Sequence, residues 1–553
     1  MLFPSLTPLF LILIAVVILT CIWLNTLSSR IGVPALLAFM LLGMLFANNG
    51  LWPVRFDNYD FAKETCTVAL IFIMFYGGFG TRWESVKPVV RESILLASVG
   101  VLATAALVGL FCHYVLHWAL LESLLFGAVM GSTDAASVFS ILRSKRLGLR
   151  NNTAPMLEME SGSNDPAAYM LTVILLSVMN GSASGGGIVW NVFAQIVFGG
   201  LGGLVIAWLA VFGFRHIPYF ASGFDSLYIF AVAIAAYAFP TMIGGNGYLS
   251  AYIVGIVLGN EEFNNKKSLV SFFDGFTGLM QVLIFFLLGL LAHPAQMHKA
   301  VLPAIAIFLF MLLVARPAAV FGILTPFRKY GVKQQALISF VGLRGAASIV
   351  FAIMAMVSHA FLEHDIFNVV FVVVLLSIGL QGSLIPWVAH KLDMIDPNAD
   401  IMKTFNDYSG GTDMLFGRVP VTTDSAWAGR EIRTLGLPRN LLIALVMRNG
   451  ERILPRGSTV LQPGDEVITM TRGFEDTDTF LIEKKVKVDS RRVGSRIADY
   501  PGKGLVVMVR RGEENIIPNG DTVLQAGDKL VILNLGQSAV PSGTDDKASE
   551  KKA

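Results

Sequence analysis

Cysteine and charge are both scarce in this sequence. Its three cysteines, Cys21, Cys66 and Cys112, each lie in an apolar run, which speaks against a disulfide framework or a cysteine-based zinc site. A net charge of +3 over 553 residues, with no basic cluster interleaved with aromatics, provides no nucleic-acid footprint. No Lys or Arg precedes Arg30, so the run MLFPSLTPLFLILIAVVILTCIW lacks a signal peptide's basic n-region and reads as a retained first span. Phosphate loops, metal-ligand clusters and nucleophile elbows are missing, which argues against an enzyme. GGLGGL (199–204) lies inside an apolar run with no strand before it and reads as helix packing, not as a dinucleotide loop.

What charge there is, 15% of residues, is divided unevenly. Residues 1–400 hold 20 Lys+Arg and 19 Asp+Glu, whereas the remaining 153 hold 22 and 20. That split implies lipid around the first part and water around the second. Thirteen apolar stretches suit transmembrane helices, near 6–26, 32–50, 64–80, 93–117, 121–142, 155–179, 188–213, 224–239, 247–259, 269–291, 300–323, 334–358 and 366–390. FPTMIGGNG (239–247) breaks the eighth and ninth, so their ends are the least defined. Alternate loops carry fifteen Lys and Arg, from Arg30 to Lys391, against Arg55, Lys63 and Lys299 in the other set. The positive-inside rule then puts the N-terminus outside and the charged tail in the cytoplasm, which requires an odd number of spans.

Two of the stretches share a pattern. GSTDAASV (131–138) and GLRGAASI (342–349) both read G-x-x-x-A-A-S-V/I, one with Asp134 and the other with Arg344. Their places in the span order make them enter the membrane from opposite sides, as in an inverted-topology repeat with a site at the midplane. If both helices break and cross there, Asp134 and Arg344 would offset the partial charges of the half-helix ends. The plainer reading is that AAS is helix-packing filler.

Between the basic loop RSKRLGLR (143–150) and the apolar YMLTVILLSVM (169–179) lies ESGSNDPAA (160–168). On a helix Ser161 and Asp165 share one face, and Glu160 and Asn164 share the neighbouring one. Pro166 has no N–H for the carbonyl of Gly162, which leaves that oxygen open beside Asp165. The result is a small oxygen-rich pocket suited to a hard monovalent cation. A bare carboxylate in hydrocarbon is costly; a proton or a cation relieves the cost, but the two compete for the same oxygens. Exchange of one for the other follows. Glu158 reads instead as a first-turn acid near cytoplasmic water, and Arg316, next to Pro317, fits a structural or a functional role equally.

At these residues the chain resembles the cation/proton antiporter superfamily, specifically the NhaP-type potassium/proton antiporters with a regulatory tail. The motifs are Thr133-Asp134, ESGSND ending in Asn164-Asp165, and GLRGA with Arg344. The resemblance implies that Asp165 is the ion-and-proton carboxylate. It also implies that Ser161, Glu160 and backbone oxygen near Thr133 complete the cation shell, and that Asn164 orients them. Asn rather than a second Asp at position 164 implies electroneutral, one-for-one exchange; a homodimer with elevator-like movement of six core helices is implied as well. Sodium-selective relatives often carry an acid in the third span, which here reads MFYGGFG (74–80) with Tyr76, so potassium and sodium both stay open.

After Asp400 short alternating runs with Gly and Pro punctuation indicate β-rich modules. PRGSTVLQPGD (455–465) and PNGDTVLQAGD (518–528) agree at eight of eleven positions at a spacing of 63. The expected organisation is an exchanger domain over 1–400, a module over 401–485 similar to the C-terminal type of potassium-conductance regulator domain (RCK-C, or TrkA-C), a second related or transporter-associated module over 486–536, and a disordered end over 537–553. Such modules commonly bind small ligands, nucleotides among them, at dimer interfaces; a purely structural dimerisation tail is the alternative. The expectation is an α-helical polytopic protein of the bacterial inner membrane, a potassium or sodium/proton antiporter without a resident cofactor. A ligand-gated cation channel would want a carbonyl filter, and no TVGYG-like loop occurs. A non-transporting sensor would have little use for midplane acids.

Overall fold

Lipid offers backbone amides no hydrogen bonds, so an apolar chain closes them within helices. The computed structural model describes residues 8–31, 34–48, 56–145, 147–182, 185–216, 224–261, 266–295, 297–358, 360–396, 414–423, 425–437, 441–448, 451–472, 479–486, 493–499, 505–511, 514–516, 518 and 520–535. They fall into two compact units, residues 1–410 and 411–553.

Apart from a single turn at Trp83–Val86, the described part of the first unit holds fifteen helices. These are α1 (Pro8–Ile31), α2 (Ala35–Phe46), α3 (Tyr59–Gly80), α4 (Val90–Leu116), α5 (Leu120–Val129), α6 (Ala135–Ser144), α7 (Thr153–Met179), α8 (Gly185–His216), α9 (Phe224–Met242), α10 (Gly247–Asn260), α11 (Lys266–Leu291), α12 (Met297–Phe327), α13 (Val332–Phe340), α14 (Ala346–Val357) and α15 (Ile366–Lys391). Each expected stretch coincides with one helix, except the fifth and twelfth, which are split into α5–α6 and α13–α14. Seven of the helices, α3, α4, α8, α9, α11, α12 and α15, are long and apolar enough to cross a membrane by length and composition.

Local chemistry sets several of the ends. Asn58 caps α3 by accepting the Phe61 N–H at 2.9 Å, and Asn246 caps α10 by accepting that of Leu249 at 3.0 Å. Gly244, at φ +80°, makes the tight turn between α9 and α10. A π-turn over Met311–Ala315 precedes Pro317 in α12, where proline removes a donor from the ladder. Paired glycines bring helix backbones together: Gly43 and Gly289 join α2 to α11, and Gly78 and Gly255 join α3 to α10, each lying against the partner's main chain with no room for a Cβ.

The second unit contains two antiparallel sheets of four strands. Strands β1 (Gly148–Leu149) and β2 (Ile395–Asp396) pair in the first unit. The tail carries β3 (Met414–Pro420), β4 (Leu441–Arg448), β5 (Glu451–Ile453), β6 (Glu466–Arg472), β7 (Thr479–Lys485), β8 (Leu505–Arg511), β9 (Glu514–Ile516) and β10 (Lys529–Leu535). The orders β3-β6-β4-β5 and β7-β10-β8-β9 are the same arrangement twice. Their cores correspond as well: Ile443, Val446, Leu461 and Val467 in one, Val506, Val509, Leu524 and Leu530 in the other. Because β7 pairs with β10, Thr479–Lys485 belongs to the second sheet. The expected boundary between 485 and 486 falls too late, since the alternating pattern of β7 carries no mark of which sheet it joins. Residues 537–553 lie outside the described residues.

Candidate functional site

Both helix breaks leave backbone groups without intrahelical partners, and the side chains around them supply replacements. The breaks meet each other: the Asp134 N–H donates to the carbonyl of Leu343 at 2.8 Å. Asp134 then caps α6, its carboxylate accepting from the Ser137 N–H at 3.1 Å and from the Ser137 hydroxyl. From the other break the Arg344 guanidinium donates through Nη1 to the carbonyl of Ser132 at 2.6 Å, and the Arg344 N–H donates to Ser377 Oγ at 3.0 Å. An acid at a helix N-terminus and a cation on a freed carbonyl are the placements that helix-end partial charges favour.

Three side chains of α7 hold the first break, one through its main chain and two through its side chains. Ser161 Oγ accepts the Ala135 N–H at 2.9 Å and donates to the carbonyl of Thr133 at 2.7 Å. Asn164 Nδ2 donates to Thr133 Oγ1 at 2.5 Å. Asp165 accepts from the Ser132 hydroxyl. Asp165 is 5% exposed and stands seven residues beyond Glu158 on one face of α7.

A cavity of about 70 Å³ lies against this arrangement, walled by Ser132, Thr133, Asp134, Glu158, Ser161 and Asp165 together with Tyr252, Gln281 and apolar side chains of α3, α11 and α14. That is room for a few waters or a partly hydrated ion. A second cavity of about 350 Å³, lined in part by Ser137, Ser140 and Gly278, shares Ala136 and Gln281 with the first.

Of the residues expected in the site, Asp165, Ser161, Thr133 and Asp134 line the cavity. Asn164 holds Thr133 from behind the wall. Glu160 does not reach the cavity: its carboxylate meets the Arg316 guanidinium at 2.5 Å, with both side chains nearly inaccessible. Arg316, open between a structural and a functional role from the sequence, is thus the buried partner of Glu160. Glu158 departs from expectation as well, because it is buried and on the cavity wall rather than beside water. Ser132 was not legible as a site residue; only the crossing shows that its hydroxyl reaches Asp165.

The sodium/hydrogen exchanger transmembrane family matches residues 14–391. The chain belongs to the sodium/hydrogen exchanger family. Two TrkA-C domains follow in this exchanger, at 416–471 and 481–534, and the second match starts inside β7, in keeping with the sheet pairing. The K(+)/H(+) antiporter NhaP of Alkalimonas amylolytica is 34% identical over 470 residues, 83% of this chain and 81% of that one. The K(+)/H(+) antiporter NhaP2 of Shewanella oneidensis is 34% identical over 454 residues, 80% and 77% of the two chains. The fold is that of the sodium proton antiporter MjNhaP1 from Methanocaldococcus jannaschii, with a TM-score of 0.60 at 22% identity over 68% of this exchanger and 97% of that chain. It is a helical, multi-pass membrane protein with small β-sheet modules in its tail.

Proposed function

We propose that this exchanger is a secondary active potassium/proton antiporter that exports potassium, with sodium as a second cargo, against inward proton movement. The observation that carries the reading is Asp165, a buried carboxylate in an apolar helix, facing a small cavity with Ser132, Thr133 and Ser161. The long, well-covered relatives carry the potassium/proton name.

In this reading the cation takes Asp165, Ser161 and the oxygens of Thr133 as ligands, and a proton on Asp165 expels it. A bare charge on Asp165 is too costly to carry through the barrier, so one occupant leaves only as the other arrives. Asn164 fixes the geometry through Thr133, and Asp134 and Arg344 hold the crossing. Glu160 has a structural place here, bound to Arg316. Exchange is one for one, in a homodimer of thirteen spans in the bacterial inner membrane, N-terminus outside and tail cytoplasmic. The tail, beyond an exchanger domain of about 400 residues, adjusts activity through a small ligand such as a nucleotide.

The experiment is proton flux in proteoliposomes carrying a preformed acid-inside gradient. Added potassium dissipates it, and Asp165→Asn abolishes the response. Retention of exchange by that variant would overturn the assignment of Asp165. A series of potassium, sodium, rubidium and lithium ranks the cargo.

A further inference from the structure

We infer that Glu158 is a second cation station, which holds the transported ion between the basic-loop end of α7 and Asp165. The inference rests on the exchange reading above. Residues 158, 161, 162 and 165 fall at i, i+3, i+4 and i+7 and so share a face of α7, and all four line the cavity. At 1.5 Å rise per residue Glu158 stands about 10 Å from Asp165 along the axis, a separation that places two stations in series.

Asp134 caps α6 through Ser137, and Glu160, off the cavity wall, is held by Arg316 at 2.5 Å. Glu158 and Asp165 are the carboxylates of α7 that face the cavity, and Gly162 is the wall residue between them. The Tyr252 ring lies against Gly162 so closely that no Cβ fits there, which narrows the passage between the two levels. Met74, Gly77, Gln281 and Phe285 complete the walls of the cavity. An acid in a low-dielectric cleft concentrates cations locally. With oxygen ligands, and no His or Cys on the wall, the station suits a hard monovalent ion and not a transition metal.

The test is potassium-dependent proton flux by full-length protein in proteoliposomes, with Glu158→Gln and Glu158→Asp beside the wild type. E158Q should raise the KM for potassium about threefold or more, with a proportionally smaller effect on maximal rate, and E158D should recover part of the loss. An unchanged KM, or an equal loss of rate at every potassium concentration, overturns the inference. Wild type without flux would instead defeat the exchange reading. Thallium(I) binding gives a second measure that needs no turnover: Asp165→Asn protein should keep one weak site that the added E158Q removes, and a site surviving in the double variant also overturns the inference.

Discussion

Asp134 and Leu343, in two helix breaks far apart in sequence, are joined through their main chains at 2.8 Å. This bond fixes where one interrupted helix crosses the other. Around it Ser161 and Arg344 take up main-chain groups that the interruption released, while Asn164 and Asp165 hold the side chains of Thr133 and Ser132. Ser161 is therefore both a residue of the site and one that keeps its backbone satisfied.

Gly345 abuts the Asp134 carboxylate, where a Cβ would collide with it. Gly345→Ala should push the two breaks apart. Exchange should fall at least about tenfold, the effect of a near-ångström misplacement, while circular dichroism reports unchanged helix content. Full activity in G345A would show that the crossing tolerates displacement.

Ser161 serves both the Ala135 N–H and the Thr133 carbonyl. Ser161→Ala leaves two buried backbone groups unsatisfied, at a cost of about 1–3 kcal/mol each. The measurements are thermal stability in detergent and the KM for potassium; Tm should drop and KM should rise together.

The Glu160–Arg316 pair is buried on both sides. Glu160→Gln alone strands a guanidinium and should destabilise the protein by about 3–5 kcal/mol. The double variant Glu160→Gln with Arg316→Met should recover much of that stability in thermal unfolding. A double variant no better than the single would mean that the two groups do not depend on each other.

In the tail, Arg448 grips Asp465 through Nε and Nη2 at 2.8 and 2.7 Å, and Arg511 grips Asp528 in the same way at 2.9 and 2.8 Å. These guanidiniums hold both carboxyls below the usual range, against the opposing effect of burial. A depressed carboxyl stabilises the fold above its unfolded value, about 3.9, and the contribution is lost as pH falls through the folded value. Hydrogen exchange across β8 and β10 in the full-length protein should accelerate as pH drops below about 4, after correction for intrinsic rates. Arg511→Gln should speed exchange at neutral pH and flatten that acid response.

Truncation after Asp400 tests whether the two modules regulate. The truncated exchanger should keep some flux but lose the full-length protein's response to pH or to added nucleotide. An identical profile with and without the tail would leave the modules a structural role.

Much of the architecture was legible in residue order. Periodicity alone put Ser161 and Asp165 on one face of α7 and Glu160 on the next, which is how they lie. The spacing of 63 residues foretold the second sheet, and at that spacing Arg448 corresponds to Arg511 and Asp465 to Asp528. Upstream of the repeated segment the match is looser, Leu445–Arg448 against Met508–Arg511, because strand residues vary as long as their apolar face is kept.

The fate of the two neighbouring acids could not be read this way. Glu158 and Glu160 stand two residues apart, both buried, and point to different sides of one helix. The sequence determined that they diverge, because 100° per residue allows nothing else. Only the tertiary structure decided which one faces the cavity, because that depends on a distant helix, α12, bringing Arg316 to Glu160. Helical geometry is local and travels with the chain; a partner for a buried charge comes from wherever packing delivers one.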